Sequence, residues 1–262
     1  MSMFRAAVPP VIERAALISS ILLLALAAWL SIWFFNDFAH SLLHLRSLDH
    51  HSWTSGGLVL LFIGGWTVMT VAMMLPTTLP IITIFHTIAG SREDRMLLIG
   101  LVIIGYLAIW ASFGVLVYVG YLSLQWIVDS IPPLKKNIWI GVPSILILAG
   151  AFQFTSLKYR CLDKCRSPFS FVIEHWQGRN ERWNAFRLGV DNGLFCVGCC
   201  WALMLLMFVV GYGSIGWMFV LAVIMAIEKN VSWGRRISTP LGVILIGIGL
   251  VLLFLFPEHS KL

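Results

Sequence analysis

Charge is what this sequence has least of. Only 11% of its 262 residues are Asp, Glu, Lys or Arg, while 59% are hydrophobic and the mean hydropathy is +0.90. That balance excludes an ordinary soluble protein and predicts an integral membrane protein. No GxxxxGK[ST] phosphate loop occurs, so the chain lacks the cytosolic ATPase parts of a pump and any transport would be passive or driven by a partner. A signal-peptide cleavage site is also missing. Arg5, Pro9, Pro10 and Arg14 precede an apolar run, but the run is too long for a signal core and no small-residue site follows, which predicts a retained first crossing.

What is present is apolar segments of spanning length. They lie at about 15–35, 56–80, 97–122, 138–157, 188–211 and 238–256, with a shorter one at about 214–228. At about 1.5 Å of rise per residue, roughly 20 residues cross a bilayer core of about 30 Å. If all seven cross, one side carries fourteen of the 18 basic residues, and the other only Arg46, Lys135, Lys136 and Lys261. This bias predicts a cytoplasmic N-terminus and an outward C-terminus. The expected architecture is therefore an all-α, polytopic transmembrane bundle of about seven crossings, residues 1–262 forming one membrane domain. The net charge of +6 then reflects anchoring on anionic lipid rather than binding of nucleic acid.

Cysteine is scarce too, five in all, yet three of the five fall within five residues: Cys196, Cys199 and Cys200. On a helix, Cys196, Cys200, Met204 and Met207 share one face. Such a face binds soft metal or merely packs, since free cysteine and methionine are also ordinary core residues. For Met204 and Met207 packing is the expectation; for the cysteine trio, thiolate chemistry suits copper(I), zinc or iron–sulfur clusters. In the second crossing Met69 and Met73 stand one turn apart, followed by Pro76 and Pro80. Those prolines break or kink the helix, and irregular backbone at membrane depth is tolerated only where it is buried in protein or lines a cavity. Thr77, Thr78 and Thr83 are expected to satisfy the backbone groups set free. The third and fourth crossings, rich in glycine and aromatics, are assigned no chemistry.

Outside the crossings, two stretches draw notice. The first outward loop, Asn36 to Ser55, holds four of the seven histidines; His40 and His44, one turn apart, could ligate one ion as neutral imidazoles. The long cytoplasmic connection from Lys158 to Arg187 holds Cys161 and Cys165, four apart among Lys and Arg that favour the thiolate. A structural disulfide is not expected on a reducing side. Ser167-Pro168 predicts a helix start, and Phe169, Ile173, Trp176 and Trp183 predict an amphipathic stretch on the inner membrane surface. Asp191 is expected to pair with Arg187, and Glu228 with Lys229 to form an interface pair.

Three ordered motifs carry a resemblance: Trp66-x2-Met69-x2-Ala72-Met73-Met74-x-Pro76, then Phe152-Gln153-x2-Ser156-Leu157-Lys158-x2-Cys161-Leu162-x2-Cys165-Arg166-x-Pro168, then Gly193-x2-Cys196-x-Gly198-Cys199-Cys200-Trp201-x-Leu203-Met204. Over roughly residues 60 to 230 the chain resembles a family of bacterial integral membrane proteins predicted to bind metal. It departs from the family pattern at Phe152, usually Tyr, and at Ser156, usually Pro. The His-rich loop is not part of the resemblance.

The expectation is a bacterial inner-membrane protein that binds copper(I), with zinc as a second candidate, for uptake or for delivery to a cuproenzyme or metallochaperone partner in the bilayer. Cys196, Cys199 and Cys200 would be the ligands, completed by Met73 or Met69. Cys161 and Cys165 would form an inner site, and His40 and His44 an outer one. Two other classes stay open. One is an enzyme, a membrane thiol-disulfide oxidoreductase, although the outer face lacks cysteine; the other is a structural or assembly subunit of a membrane complex.

Overall fold

The computed structural model describes residues 10–46, 56–90, 92–132, 140–175, 180–210 and 215–255. Among them the chain is helical without a strand. The helices are α1 (Pro10–Arg46), α2 (Gly56–Met73), α3 (Leu79–Ala89), α4 (Arg95–Ser130), α5 (Gly141–Phe152), α6 (Ser156–Cys165), α7 (Pro168–His175), α8 (Glu181–Val210), α9 (Ile215–Asn230) and α10 (Ser238–Leu255). Short 3-10 turns at Pro76–Thr78 and Gly234–Ile237 join α2 to α3 and α9 to α10. Four helices are long and apolar enough to cross a membrane, or six spans if the bent pairs α2/α3 and α5/α6 each count as one. The short predicted segment is α9, with 16 residues. The predicted first loop begins as helix: α1 continues past Phe35 to Arg46.

Several of these helices are apolar on their outer surfaces, as a membrane protein's would be. Among the described side chains of α1 a narrow stripe, Leu17, Ile21, Ala25 and Ala28, is buried, while Leu22, Leu23, Leu24, Leu26, Leu30, Trp33 and Phe34 face outward. A helix apolar all round cannot stand in water. The centre of the bundle is α8, with 56% of its span buried inside the protein against 33% for α4 and 22% for α1 and α10. It packs on α4, α5, α6, α7 and α9. The α4 contact is the broadest and runs through glycine. A Cβ on Gly189 would lie 2.0 Å from the Val102 carbonyl oxygen, and one on Gly105 2.4 Å from that of Phe186. Small residues let two backbones touch where lipid offers no hydrophobic drive between helices.

The break between α2 and α3 follows from proline. Pro76 cannot donate to the Ala72 carbonyl four residues back; the Trp29 indole of α1 donates to it instead, at 3.1 Å. The hydroxyls of Thr77, Thr78 and Thr83 donate instead to the carbonyls three residues back, of Met74, Leu75 and Pro80, and not to the carbonyls that the prolines leave open, which corrects the role expected of them. The two helices meet at 47°. Further on, Gln153 to Thr155 turn the chain by 63° into α6, where the Thr155 hydroxyl caps the helix by accepting from the Lys158 amide at 3.3 Å.

The connection after α6 departs from a simple surface stretch. Phe169, Ile173 and Trp183 do face out, but Lys158, Cys161 and Leu162 of α6 and Phe171 and Val172 of α7 are buried. α6 packs on α8, and α7 on α3 and α8. The amphipathic pattern therefore has a second face, used to close the bundle.

Candidate thiol centre

All three cysteines of α8 are buried, Cys196, Cys199 and Cys200 at 1% exposure each. They stand mid-helix, where α8 is covered on most sides, and so their surroundings come from other elements. From α4, the Tyr106 hydroxyl reaches 2.9 Å from the Cys196 sulfur and 3.4 Å from the Met74 carbonyl oxygen, to which it donates. From the end of α9, the Lys229 ammonium lies 2.7 Å from the same sulfur, 3.3 Å from the Thr77 hydroxyl and 3.7 Å from the Met74 thioether. The proline break thus presents Met74 and Thr77 at the level of Cys196. No helix-to-helix packing of α2 on α8 is needed, because Tyr106 and Lys229 bridge the two.

The sulfurs run in a row. Cys196 and Cys200 stand one turn apart on α8; Cys199 and Cys200 are 3.3 Å apart, and the Cys199 thiol donates to the Cys196 carbonyl at 3.2 Å. Beyond Cys199 the thiols continue onto α6, which packs on α8 and whose Cys165 lies near enough to act on Cys199. Cys165 is half-buried, so the row leads from a sealed end at Cys196 toward the surface. Gly198 admits α6 to this place: a Cβ there would sit 2.6 Å from the Cys161 sulfur. The glycine of the Cys-x-Gly-Cys-Cys run is therefore the seat of the second cysteine pair. All five cysteines are free. Among the described residues no three His, Cys, Asp or Glu side chains close on one point as ion ligands; what the site offers in this conformation is sulfur taken two at a time, with a thioether beside it.

Next to the thiols lies a second polar pocket. Lys158 and Glu228, both fully buried, pair at 2.7 Å; the Ser238 hydroxyl donates to the same carboxylate oxygen at 2.7 Å, and the Lys158 ammonium also donates to the Gln153 side-chain oxygen. Arg166 closes the end of α9, donating to the carbonyls of Glu228 at 2.8 Å and Ser232 at 2.6 Å, as a cation at a helix C-terminus should. This corrects the expected Glu228–Lys229 interface pair. The two residues point into different pockets: both side chains turn inward from the last turn of α9, while Asn230, its final residue, is exposed. The Arg187–Asp191 pair is present at 3.6 Å.

The expected methionines divide. Met69 and Met73 are buried in the common core at 4% and 2% exposure, together with Met204 and Met207, while Met74, the next residue, is the one whose sulfur meets the Lys229 ammonium. Tyr106, Lys229 and Met74 are the residues that sequence reasoning passed over. The usable signal was an apolar segment too short to cross, ending in a Glu-Lys pair at the depth of the proline break. His40 and His44 fall in the last turns of α1, and their side chains lie outside the described residues, as does the rest of that loop.

With this geometry in view, residues 63–252 match a family model described as PpoB2, copper chaperone. The chain belongs to that family. The PpoB2 match spans the α2/α3 break, Tyr106, both cysteine groups and Lys229, and leaves α1 with His40 and His44 outside. No curated protein and no solved structure matches the chain. A copper-related function fits the donors: thiol and thioether sulfur are the ligands that select copper(I).

Proposed function

We propose that this protein is a membrane-embedded copper(I) chaperone. In this reading Cys196, Cys199 and Cys200 hold the ion, two thiolates at a time with the Met74 thioether at hand, and Cys165 and Cys161 receive it for hand-over to a cuproenzyme or a copper carrier. Met69 and Met73 would support the site by packing. The observation that carries the reading is the cluster of three buried thiols on α8, Cys199 and Cys200 3.3 Å apart and Cys196 beside them, facing the cysteines of α6 in a chain of the PpoB2 family. A row of like ligands lets an ion move by exchanging one sulfur for the next without passing through a bare state. The basic residues of the loops support a bacterial inner membrane with the N-terminus and the Cys165 end on the cytoplasmic side. Moving Lys158 and Lys229 from the loops to the interior leaves that bias in place. His40 and His44 would form an outward capture site, and zinc remains the competing cargo.

The test is copper(I) competition against bicinchoninate with purified protein in detergent under reducing conditions. The parent should take copper(I) from the probe, Cys196→Ser should weaken binding by at least the about 10- to 100-fold that loss of a ligand's hydrogen-bond partner costs, and the triple serine variant should keep only the weaker binding of Cys161 and Cys165. A triple variant as tight as the parent sinks the reading. The nearness of Cys165 on α6 to Cys199 favours a second reading, a thiol-disulfide oxidoreductase. It predicts a Cys165–Cys199 disulfide that forms and breaks with substrate turnover in metal-free protein.

A further inference from the structure

The geometry points to Lys229 as the built-in counter-ion of the copper(I)–thiolate complex, and so as a residue that sets which metal the site prefers. This rests on the copper(I) reading above and adds a role that the thiols alone cannot fill. Lys229 is buried at 6% exposure, and among the described residues it pairs with no carboxylate. The adjacent carboxylate, Glu228, is taken by Lys158 at 2.7 Å. That pair is neutral by itself. The ammonium of Lys229 instead lies 2.7 Å from the Cys196 sulfur, and its charge acts on all three thiols of α8 and on the Tyr106 hydroxyl. A cation in an apolar interior faces the bundle or a partner and marks function. Its partner here is sulfur.

Charge arithmetic decides what such a cation does. Two thiolates on copper(I) carry one negative charge, which the ammonium cancels. Two thiolates on a divalent ion are already neutral, and the ammonium then leaves one positive charge unbalanced where the surroundings are least able to screen it. The site as built thus favours a monovalent soft ion over zinc(II). Thr77 and Met74 hold the ammonium at its post through the proline break, and Tyr106 donates to the same region from α4, so the counter-ion is fixed and not a passing side chain.

The experiment compares Lys229→Met, Lys229→Gln and Lys229→Arg with the parent, reading copper(I) affinity against bicinchoninate and zinc(II) affinity against a chromogenic zinc chelator, with elution volume and thermal melting as checks of folding. Loss of the charge should weaken copper(I) about 10- to 100-fold, as for other groups hydrogen-bonded to metal ligands, and leave zinc(II) equal or tighter. Arginine should restore most of the copper(I) affinity. Copper(I) binding by Lys229→Gln equal to the parent overturns the inference, as does a parallel loss of both metals in every folded variant, which would make Lys229 a packing residue. If Lys229→Met does not fold, Lys229→Gln and Lys229→Arg decide by the same criteria. A parent that binds no copper(I) overturns instead the reading beneath it.

Discussion

Among the described residues two lysines are buried, and they are buried on different terms. Lys158 on α6 has a carboxylate at 2.7 Å, an amide oxygen from Gln153, and a neutral net charge around it. Lys229 on α9 has sulfur, a threonine hydroxyl and no carboxylate among the described residues. Burying a lone ammonium at membrane depth costs about 2.5–3.5 kcal/mol on insertion scales. A protein that meets that cost with a matched ion pair has built a joint: Lys158–Glu228 ties α6 to α9, and Ser238 adds α10. A protein that leaves an ammonium facing thiols has kept a charge in reserve for something that arrives. The comparison separates architecture from chemistry where the two stand a few ångströms apart on neighbouring residues, Glu228 and Lys229.

The comparison breaks most visibly at the joint. Glu228→Gln leaves the Lys158 ammonium buried without its counter-charge, and such a change should cost about 3–5 kcal/mol, read as a lowered melting temperature in detergent. Replacing both, Lys158→Met with Glu228→Leu, should recover stability to the parent level or above, since apolar pairs commonly replace buried ion pairs without loss. Copper(I) binding should persist in the double variant. A stable double variant without copper(I) binding would show that the joint belongs to the chemistry, and the distinction between the two lysines would fail.

The all-helical class and the long apolar helices were legible because their signals are local: length of apolar run and proline position. Against the seven crossings expected, the described residues hold four such helices, or six spans if each bent pair counts as one. The cysteine run of α8 was legible too. The partners of those cysteines were not legible, because they depend on how far neighbouring helices reach. Tyr106 reads as one aromatic among many until Gly105, Gly189 and Gly193 set the register of α4 against α8. Lys229 reads as a surface cation until the last turn of α9 proves to turn its side chain inward, with Arg166 on the carbonyls of Glu228 and Ser232. Gly198 reads as one more small residue of a membrane helix, yet the 2.6 Å between its missing Cβ and the Cys161 sulfur makes it the most specific glycine of the site. Gly198→Ala should push α6 off α8, costing about 1–3 kcal/mol as overpacking does. The displaced Cys165 should then cross-link to Cys199 more slowly under mild oxidation, with copper(I) affinity at Cys196 changed less than the rate. Equal cross-linking in parent and variant would remove the role given to this glycine.

The smallest effect sharpens the comparison from the other side. Met204 lies two turns beyond Cys196 on the same stripe, fully buried, and the stripe alone makes it as plausible a ligand as Met74. It belongs to the buried core, whereas the Met74 sulfur, at the proline break, also meets the Lys229 ammonium. Sulfur next to the site's charge is in position to take an ion; sulfur that only packs fills space. Met204→Leu, close in volume, should therefore cost less than about 1.5 kcal/mol and leave copper(I) affinity unchanged in the competition assay, while Met74→Leu should weaken it. If the two methionines exchanged these outcomes, the ion would sit farther along α8 than Lys229 can reach, and the counter-ion would have to be sought elsewhere.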